Sequence, residues 1–109
     1  MSAVDAALSE RWALILGGSD GLGAAFADDL AGRGAHCLLV ARNHDKLAAT
    51  AQSISSRHNV SVQTLSLDLG DTDAVERLAD ATDSMDLGLV VFNAGAESSG
   101  HLFADAPFD

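Results

Sequence analysis

Tyrosine is absent from this sequence, and lysine, cysteine and proline each occur only once, as Lys46, Cys37 and Pro107. Without tyrosine, the chain cannot use a phenol as an acid or base in catalysis. A single cysteine excludes an intrachain disulfide and fits a reducing cytosol. With 48% hydrophobic residues, 20% charged residues and one proline, the composition is that of a globular chain rather than a disordered one.

Basic residues are also scarce, with 6 Lys and Arg against 16 Asp and Glu and a formal net charge of -10. This balance opposes binding to nucleic acid or to an anionic membrane surface. No apolar run approaches the ~20 residues that would span a bilayer. Met1 to Glu10 contains acidic residues and no apolar core, unlike a signal peptide. We therefore expect a cytoplasmic location.

A glycine-rich stretch, Leu16-Gly17-Gly18-Ser19-Asp20-Gly21-Leu22-Gly23, follows the apolar run Trp12 to Leu16 and opens a segment with helical periodicity. A glycine turn between strand and helix aims backbone N–H groups at a phosphate. Gly17 would allow the tight turn, Gly21 the approach of a pyrophosphate, and Gly23 close packing of helix on sheet. The spacing is G-x-x-x-G-x-G, and a flexible surface loop remains the alternative interpretation of such a cluster taken alone.

The rest of the chain alternates apolar runs with helical patterns, giving the order βαβαβαβ that indicates a doubly wound parallel sheet. Leu22, Phe26 and Leu30 are predicted to form the apolar stripe of the first helix, and Val75, Leu78, Ala79 and Thr82 that of the third. A sheet order of 3-2-1-4 would place the first two helices on one face and the third on the other. Strand four would then be a bare apolar edge, which predicts further strands beyond Asp109. The predicted strands are Trp12–Leu16, His36–Val40, Val60–Leu67 and Leu87–Phe92, and the helices are Gly21–Ala31, one after the N-cap Asn43, fraying from Ser55, and one after Asp71-Thr72.

These motifs resemble the N-terminal half of a short-chain dehydrogenase/reductase. The family has T-G-x-x-x-G-[IL]-G after strand one and N-A-G after strand four, and this chain has Leu16 to Gly23 and Asn93-Ala94-Gly95. Leu16 stands where the family usually has threonine. The resemblance covers Trp12 to Pro107 and implies an incomplete Rossmann-like domain over residues 12–109, preceded by a loose N-terminal arm over residues 1–11.

By this resemblance, a dinucleotide cofactor would lie across the carboxyl ends of the strands. Gly17 to Leu22 would hold the pyrophosphate and ribose, Asp68 would accept a hydrogen bond from the adenine amino group, and Leu69 would pack on the ring. Asn93, Ala94 and Gly95 would approach the adenosine ribose. A simple strand-end cap remains the alternative for Asp68, and an ordinary turn remains the alternative for Asn93 to Gly95. The implied cofactor-binding residues are Gly17, Ser19, Asp20, Gly21, Leu22, Gly23, Arg42, Asp68, Leu69, Asn93, Ala94 and Gly95.

The end of strand two favours NADP(H) over NAD. NAD-selecting enzymes usually place a carboxylate there to bind the ribose 2′-hydroxyl, whereas this chain has Ala41 followed by Arg42. A guanidinium can bind a 2′-phosphate bidentately, and Lys46 would add a second positive charge. Asp20 opposes this interpretation, because many NADP-users of the family have a basic residue there. A solvated charge at a helix start is the alternative role of Arg42.

The family's chemistry is hydride transfer between the nicotinamide and a hydroxyl or ketone, with a Tyr-x-x-x-Lys pair downstream of N-A-G. That pair is missing here, so no catalytic residue can be assigned. The four histidines, His36, His44, His58 and His101, have no metal-ligand spacing, and no metal site is predicted.

Two hypotheses remain open from the sequence. The chain is either the cofactor-binding part of an NADP(H)-dependent oxidoreductase acting on a small alcohol or ketone, inactive by itself, or a stand-alone dinucleotide-binding module with a regulatory or scaffolding role. The family mostly forms dimers and tetramers through later helices, which leaves a homo-oligomer open.

Overall fold

The computed structural model describes residues 8–17 and 21–92, which form a four-stranded parallel sheet with helices on both faces. The strands are β1 (Trp12–Leu16), β2 (His36–Ala41), β3 (Val62–Ser66) and β4 (Leu87–Phe92), and the helices are α1 (Gly21–Gly32), α2 (His44–Arg57) and α3 (Ala74–Thr82). The strand order is β3-β2-β1-β4 and all pairings are parallel. The predicted fold class and strand order are confirmed.

The centre of the sheet is apolar on both faces because β1 and β2 are covered from both sides. Ala13, Ile15, Cys37 and Leu39 face one side and pack with α1 and α2. Leu14, Leu38 and Val40 face the other side and pack with α3. Continuous apolar runs are what such doubly covered strands require. The predicted distribution of helices over the two faces is confirmed.

The buried face of α1 differs from the predicted apolar stripe. Leu22 is 61% exposed and Phe26 is 42% exposed, whereas the buried residues are Gly23, Ala27, Leu30 and Ala31. Of the three residues in the predicted stripe, only Leu30 is buried. Small residues at i, i+4 and i+8 let the helix axis approach the sheet closely, and this packing outweighs the burial of larger side chains.

Helix α2 is fixed at both ends. Its N-cap is Asn43, as predicted, with the side-chain Oδ1 accepting from the Lys46 N–H at 3.0 Å. The helix continues to Arg57 rather than fraying at Ser55, and the His58 N–H donates to the Ile54 carbonyl.

The carboxylate of Asp28 on α1 joins this helix to the end of α2. It accepts from the Arg57 Nη2 at 2.8 Å and lies 2.9 Å from the His58 Nε2. These hydrogen bonds lower the pKa of Asp28, and the one from Arg57 has the largest effect. The carboxylate therefore stays ionised and links the two helices on the same face of the sheet.

Helix α3 and strand β3 also differ from the sequence prediction. Of the predicted stripe, Val75 is 78% exposed and Ala79 is also exposed, whereas Leu78 packs on the sheet as predicted, together with Ala74 and Ala81. The regular pairing of β3 begins at Val62 rather than Val60.

Strand β4 has the predicted bounds and lies at the end of the sheet order. Leu89, Val90 and Phe92 are 39%, 53% and 37% exposed, in agreement with the predicted apolar edge. Further strands beyond Asp109 stay a prediction.

The described part of the N-terminal arm is packed rather than loose. Leu8 is 5% exposed and belongs to the core, and the Glu10 N–H donates to the Gly34 carbonyl at 3.0 Å. The Arg11 Nη2 donates to the Leu87 carbonyl at 2.7 Å, which joins the start of β1 to the start of β4. None of the helices within the described ranges has the length and apolarity to cross a bilayer.

Candidate functional site

The candidate site lies at the carboxyl edge of the sheet, where β1 runs between two neighbours. Leu16, the last residue of β1, pairs with Val40 of β2 and with Phe92 of β4. The chain leaves β1 toward α1 on one face, while α3 packs on the other face before β4 begins. In open α/β sheets, ligands usually bind outside the carboxyl ends of the strands at the point where the strand order reverses, which here is at β1, between β2 and β4.

The glycines of the turn after β1 have the backbone conformations that their proposed roles require. Gly17 has φ 88° and its N–H donates to the Val40 carbonyl at 2.6 Å, which turns the chain at the end of β1. Gly21 has φ 58° and begins α1. A Cβ added at Gly21 would meet no atom of the described residues within 4 Å, so these residues leave the space beside this backbone open. Both positions use the left-handed region that glycine enters without strain.

The start of α1 supplies backbone donors beside this open space. The first N–H groups of an α-helix have no partner within the helix, and the N-terminus carries a partial positive charge. Gly23 is buried in the face of α1 that packs on the sheet, as its predicted role requires. Leu22 is exposed beside it. A phosphate group fits this combination of open backbone and helix N-terminus.

Several predicted site residues lie outside the described part of the chain. These are Ser19 and Asp20 of the glycine turn, and Asn93, Ala94 and Gly95 after β4. Their proposed roles stay predictions. The structure describes β4 up to Phe92, one residue before the N-A-G motif.

Arg42 directly follows the last residue of β2 and is exposed at the carboxyl edge. Lys46 lies one turn further on, in the first turn of α2, and is also exposed. The structure thus places both predicted cations at the end of β2, next to the strand that carries the glycine turn. A ribose bound at this edge would have positive charge beside it.

Asp68 and Leu69 follow β3, on the far side of β2 from the glycine turn. The Asp68 Oδ1 accepts from the Gly70 N–H at 2.9 Å, and its carbonyl accepts from the Asp71 N–H at 2.9 Å. This local turn agrees with the alternative role of Asp68 as a cap, and it occupies only Oδ1. Leu69 is 36% exposed.

The sequence prediction missed Ser66, which contacts the site residue Arg42. The Ser66 Oγ donates to the Arg42 carbonyl at 3.0 Å, which joins the ends of β3 and β2. Pairing of the two strands in register brings Ala41 beside Ser66. Aligning the predicted strands at their carboxyl ends, Val40 and Leu67, would place Ser66 beside Leu39, so the sequence carried no signal for the register that brings Ser66 to Arg42.

The lone cysteine lies away from this edge and is not part of the site. Cys37 is fully buried, and burial raises the pKa of its thiol to about 11. Within residues 8–17 and 21–92, no three His, Cys, Asp or Glu side chains converge as metal ligands would.

Comparison with known proteins identifies a family and several relatives of this chain. The model of the short chain dehydrogenase family matches residues 11–107. The chain is 33% identical to the very-long-chain 3-oxoacyl-CoA reductase-B of Danio rerio over 89 residues, which are 82% of this chain and 29% of that protein. It is 34% identical to the 7beta-hydroxysteroid dehydrogenase of Clostridium sardiniense over 90 residues, or 83% of this chain and 34% of that protein.

Among solved structures, the L-sorbose reductase of Gluconobacter frateurii in complex with NADPH and L-sorbose aligns with a TM-score of 0.67 and 34% identity. That alignment covers 71% of this chain and 29% of the reductase. The chain thus spans about a third of the length of the curated relatives it matches. The family match, the glycine turn and the strand order agree, and the chain belongs to the short-chain dehydrogenase family.

Proposed function

We propose that this chain is the NADP(H)-binding part of a short-chain dehydrogenase/reductase. The pyrophosphate would lie beside Gly17 and Gly21 at the start of α1, and the adenosine would lie across β2 toward Asp68 and Leu69. The open space at Gly21, together with the helix N-terminus, supports the first part of this pose. The bound nicotinamide would supply or accept the hydride that passes to or from a hydroxyl or ketone carbon.

The preference for NADP(H) depends on the single observation that Arg42 directly follows β2. The NADPH 2′-phosphate carries negative charge, which a guanidinium can bind with two parallel hydrogen bonds. Ala41 contributes no carboxylate to repel it. The G. frateurii L-sorbose reductase was solved with NADPH, which supports the same choice of cofactor.

Catalysis is a property that we assign to the whole protein rather than to these 109 residues. Because the chain contains no tyrosine, it supplies no phenolic acid or base of its own. Its residues would bind and orient the cofactor. The substrate of the whole protein is proposed only as a small alcohol or ketone.

Titration of the purified chain with NADPH and with NADH tests this proposal. We expect Arg42→Glu to weaken NADPH binding at least about tenfold, since a hydrogen bond between charged groups contributes about 1.5–3 kcal/mol. NADH binding should change by less than about threefold, because NADH carries no 2′-phosphate. Arg33→Glu makes the same charge change beyond the opposite end of β2, where Arg33 pairs with Asp29, and serves as the matched control.

Two results would contradict the proposal. If the folded chain bound neither cofactor, the cofactor-binding role of this chain would be wrong. If Arg42→Glu and Arg33→Glu weakened NADPH binding equally, the effect would come from net charge rather than from a 2′-phosphate contact at Arg42.

A further inference from the structure

The end of β2 is held by hydrogen bonds to consecutive carbonyl groups. The Val40 carbonyl accepts from the Gly17 N–H at 2.6 Å, and the Ala41 carbonyl accepts from the Leu67 N–H at 2.8 Å. The backbone that leads to Arg42 is therefore anchored to β1 on one side and to the chain after β3 on the other.

The next carbonyl, that of Arg42, is held by a side chain. The Ser66 Oγ donates to it at 3.0 Å, and Ser66 lies in register beside Ala41. Arg42 itself is exposed, so burial of its side chain does not fix its backbone. The hydroxyl of Ser66 thus extends the anchored segment by one residue, to the residue that follows the strand.

We propose that Ser66 is a positioning residue for cofactor selection: its hydroxyl fixes the backbone at Arg42 and so directs the guanidinium toward the 2′-phosphate of NADPH. This inference rests on the proposed function of Arg42. A long flexible side chain binds a phosphate well only when its origin is fixed, because each loose dihedral must be ordered on binding. Bidentate binding by a planar guanidinium makes this demand stricter.

A positioning role of Ser66 can be distinguished by experiment from a role in stabilising the fold. Loss of the hydroxyl should act on the 2′-phosphate contact, which NADPH makes and NADH lacks. A purely structural role would weaken the binding of both cofactors by the same factor. The ratio of the two dissociation constants therefore distinguishes the two roles.

The experiment measures NADPH and NADH dissociation constants for the full chain and its variants. We expect Ser66→Ala to weaken NADPH binding about threefold to tenfold and NADH binding by less than twofold. Ser66→Thr keeps the hydroxyl and should retain the ratio of the wild-type chain. Ser56→Ala is the matched control, because its Oγ also donates to a backbone carbonyl, that of Ser53 at 2.9 Å within α2.

A double variant tests whether Ser66 acts through Arg42. In an Arg42→Ala background, Ser66→Ala should leave the NADPH-to-NADH ratio unchanged, since the group that Ser66 positions is gone. A further loss of NADPH binding relative to NADH binding in that background would overturn the proposal. Equal weakening of NADPH and NADH by Ser66→Ala alone would also overturn it.

If the wild-type chain bound neither cofactor, the proposed function would be wrong, but the contact between Ser66 and the Arg42 carbonyl could still be tested. ¹⁵N relaxation of the cofactor-free chain then tests the contact directly. We expect Ser66→Ala to lower the backbone order parameters at Arg42 and Asn43, and Ser66→Thr to leave them unchanged. Unchanged order parameters in Ser66→Ala would show that the hydroxyl does not fix this backbone and would overturn the inference.

Discussion

Replacing Gly21 by alanine separates the conformational role of the glycine turn from its role beside the cofactor. Gly21 has φ 58°, and the left-handed conformation costs an L-residue such as alanine about 1–2 kcal/mol of conformational energy. A Cβ there meets no atom of residues 8–17 and 21–92 within 4 Å, so no steric clash with this part of the chain adds to the loss. We expect the free energy of unfolding to fall by about 1–2 kcal/mol and Tm to fall by about 4–8 °C per kcal/mol.

The same Cβ should affect cofactor binding much more than it affects folding. It would occupy the open space in which the pyrophosphate approaches the start of α1, and NADPH and NADH share this group. We therefore expect both dissociation constants to rise at least about tenfold, which corresponds to about 1.4 kcal/mol. Titration well below the Tm of the variant measures the affinity of the folded chain.

Gly34→Ala is the control for this prediction. Gly34 has φ 96° and lies between α1 and β2, at the opposite edge of the sheet from the glycine turn. A Cβ there would lie 3.4 Å from the Ser9 Oγ and 3.6 Å from its Cα, so the variant should lose at least as much stability as Gly21→Ala. Its cofactor affinity should stay within about twofold of the wild-type chain. Retained affinity in Gly21→Ala, or equal losses of affinity in both variants, would refute the reasoning.

Three further predictions concern packing and ionisation. Ala27→Leu should destabilise the chain by about 1–3 kcal/mol through overpacking under α1, whereas Phe26→Ala should change the free energy of unfolding by less than about 1 kcal/mol, both measured by urea denaturation. The pKa of Asp28 is lower in the folded chain than in the unfolded chain, so its contribution to stability is present near neutral pH and is lost as pH falls below about 4. Asp28→Asn should remove this part of the pH dependence, and an unchanged acid profile would contradict the prediction. The Cys37 thiol, whose pKa burial raises to about 11, should react with a thiol reagent at pH 8 only after unfolding, and rapid labelling of the native chain would contradict its burial.

The sheet could be predicted from the sequence because its signals are local. Continuous apolar runs such as Leu38 to Val40 need cover on both faces, and parallel strands joined by helices follow right-handed connections. Given the predicted order β3-β2-β1-β4, which the structure has, these rules place the helices on the correct faces of the sheet. The N-cap at Asn43 is similarly local, since its side chain bonds a backbone N–H three residues on.

The helix faces were predicted less well because two faces of α1 carry apolar residues. Leu22 and Phe26 have the larger side chains, but Gly23 and Ala27 are buried. Hydrophobicity alone predicts that the face with the larger apolar side chains is buried. Packing on the sheet instead favours the face with small residues, because this face lets the helix axis approach the sheet closely. The same competition exposes Val75 and buries Ala74 on α3.

The sequence by itself determined the glycine turn, the cations after β2 and the missing tyrosine, because each depends on residue type and spacing along the chain. Only the tertiary structure decided which backbone at the site is open and which is held. The bond from Ser66 to the Arg42 carbonyl forms where β3 and β2 meet, and the open space at Gly21 lies at the start of α1, clear of the other described residues. Contacts between segments distant in sequence depend on strand register and on how closely helices approach the sheet, and both are set only when the elements pack together.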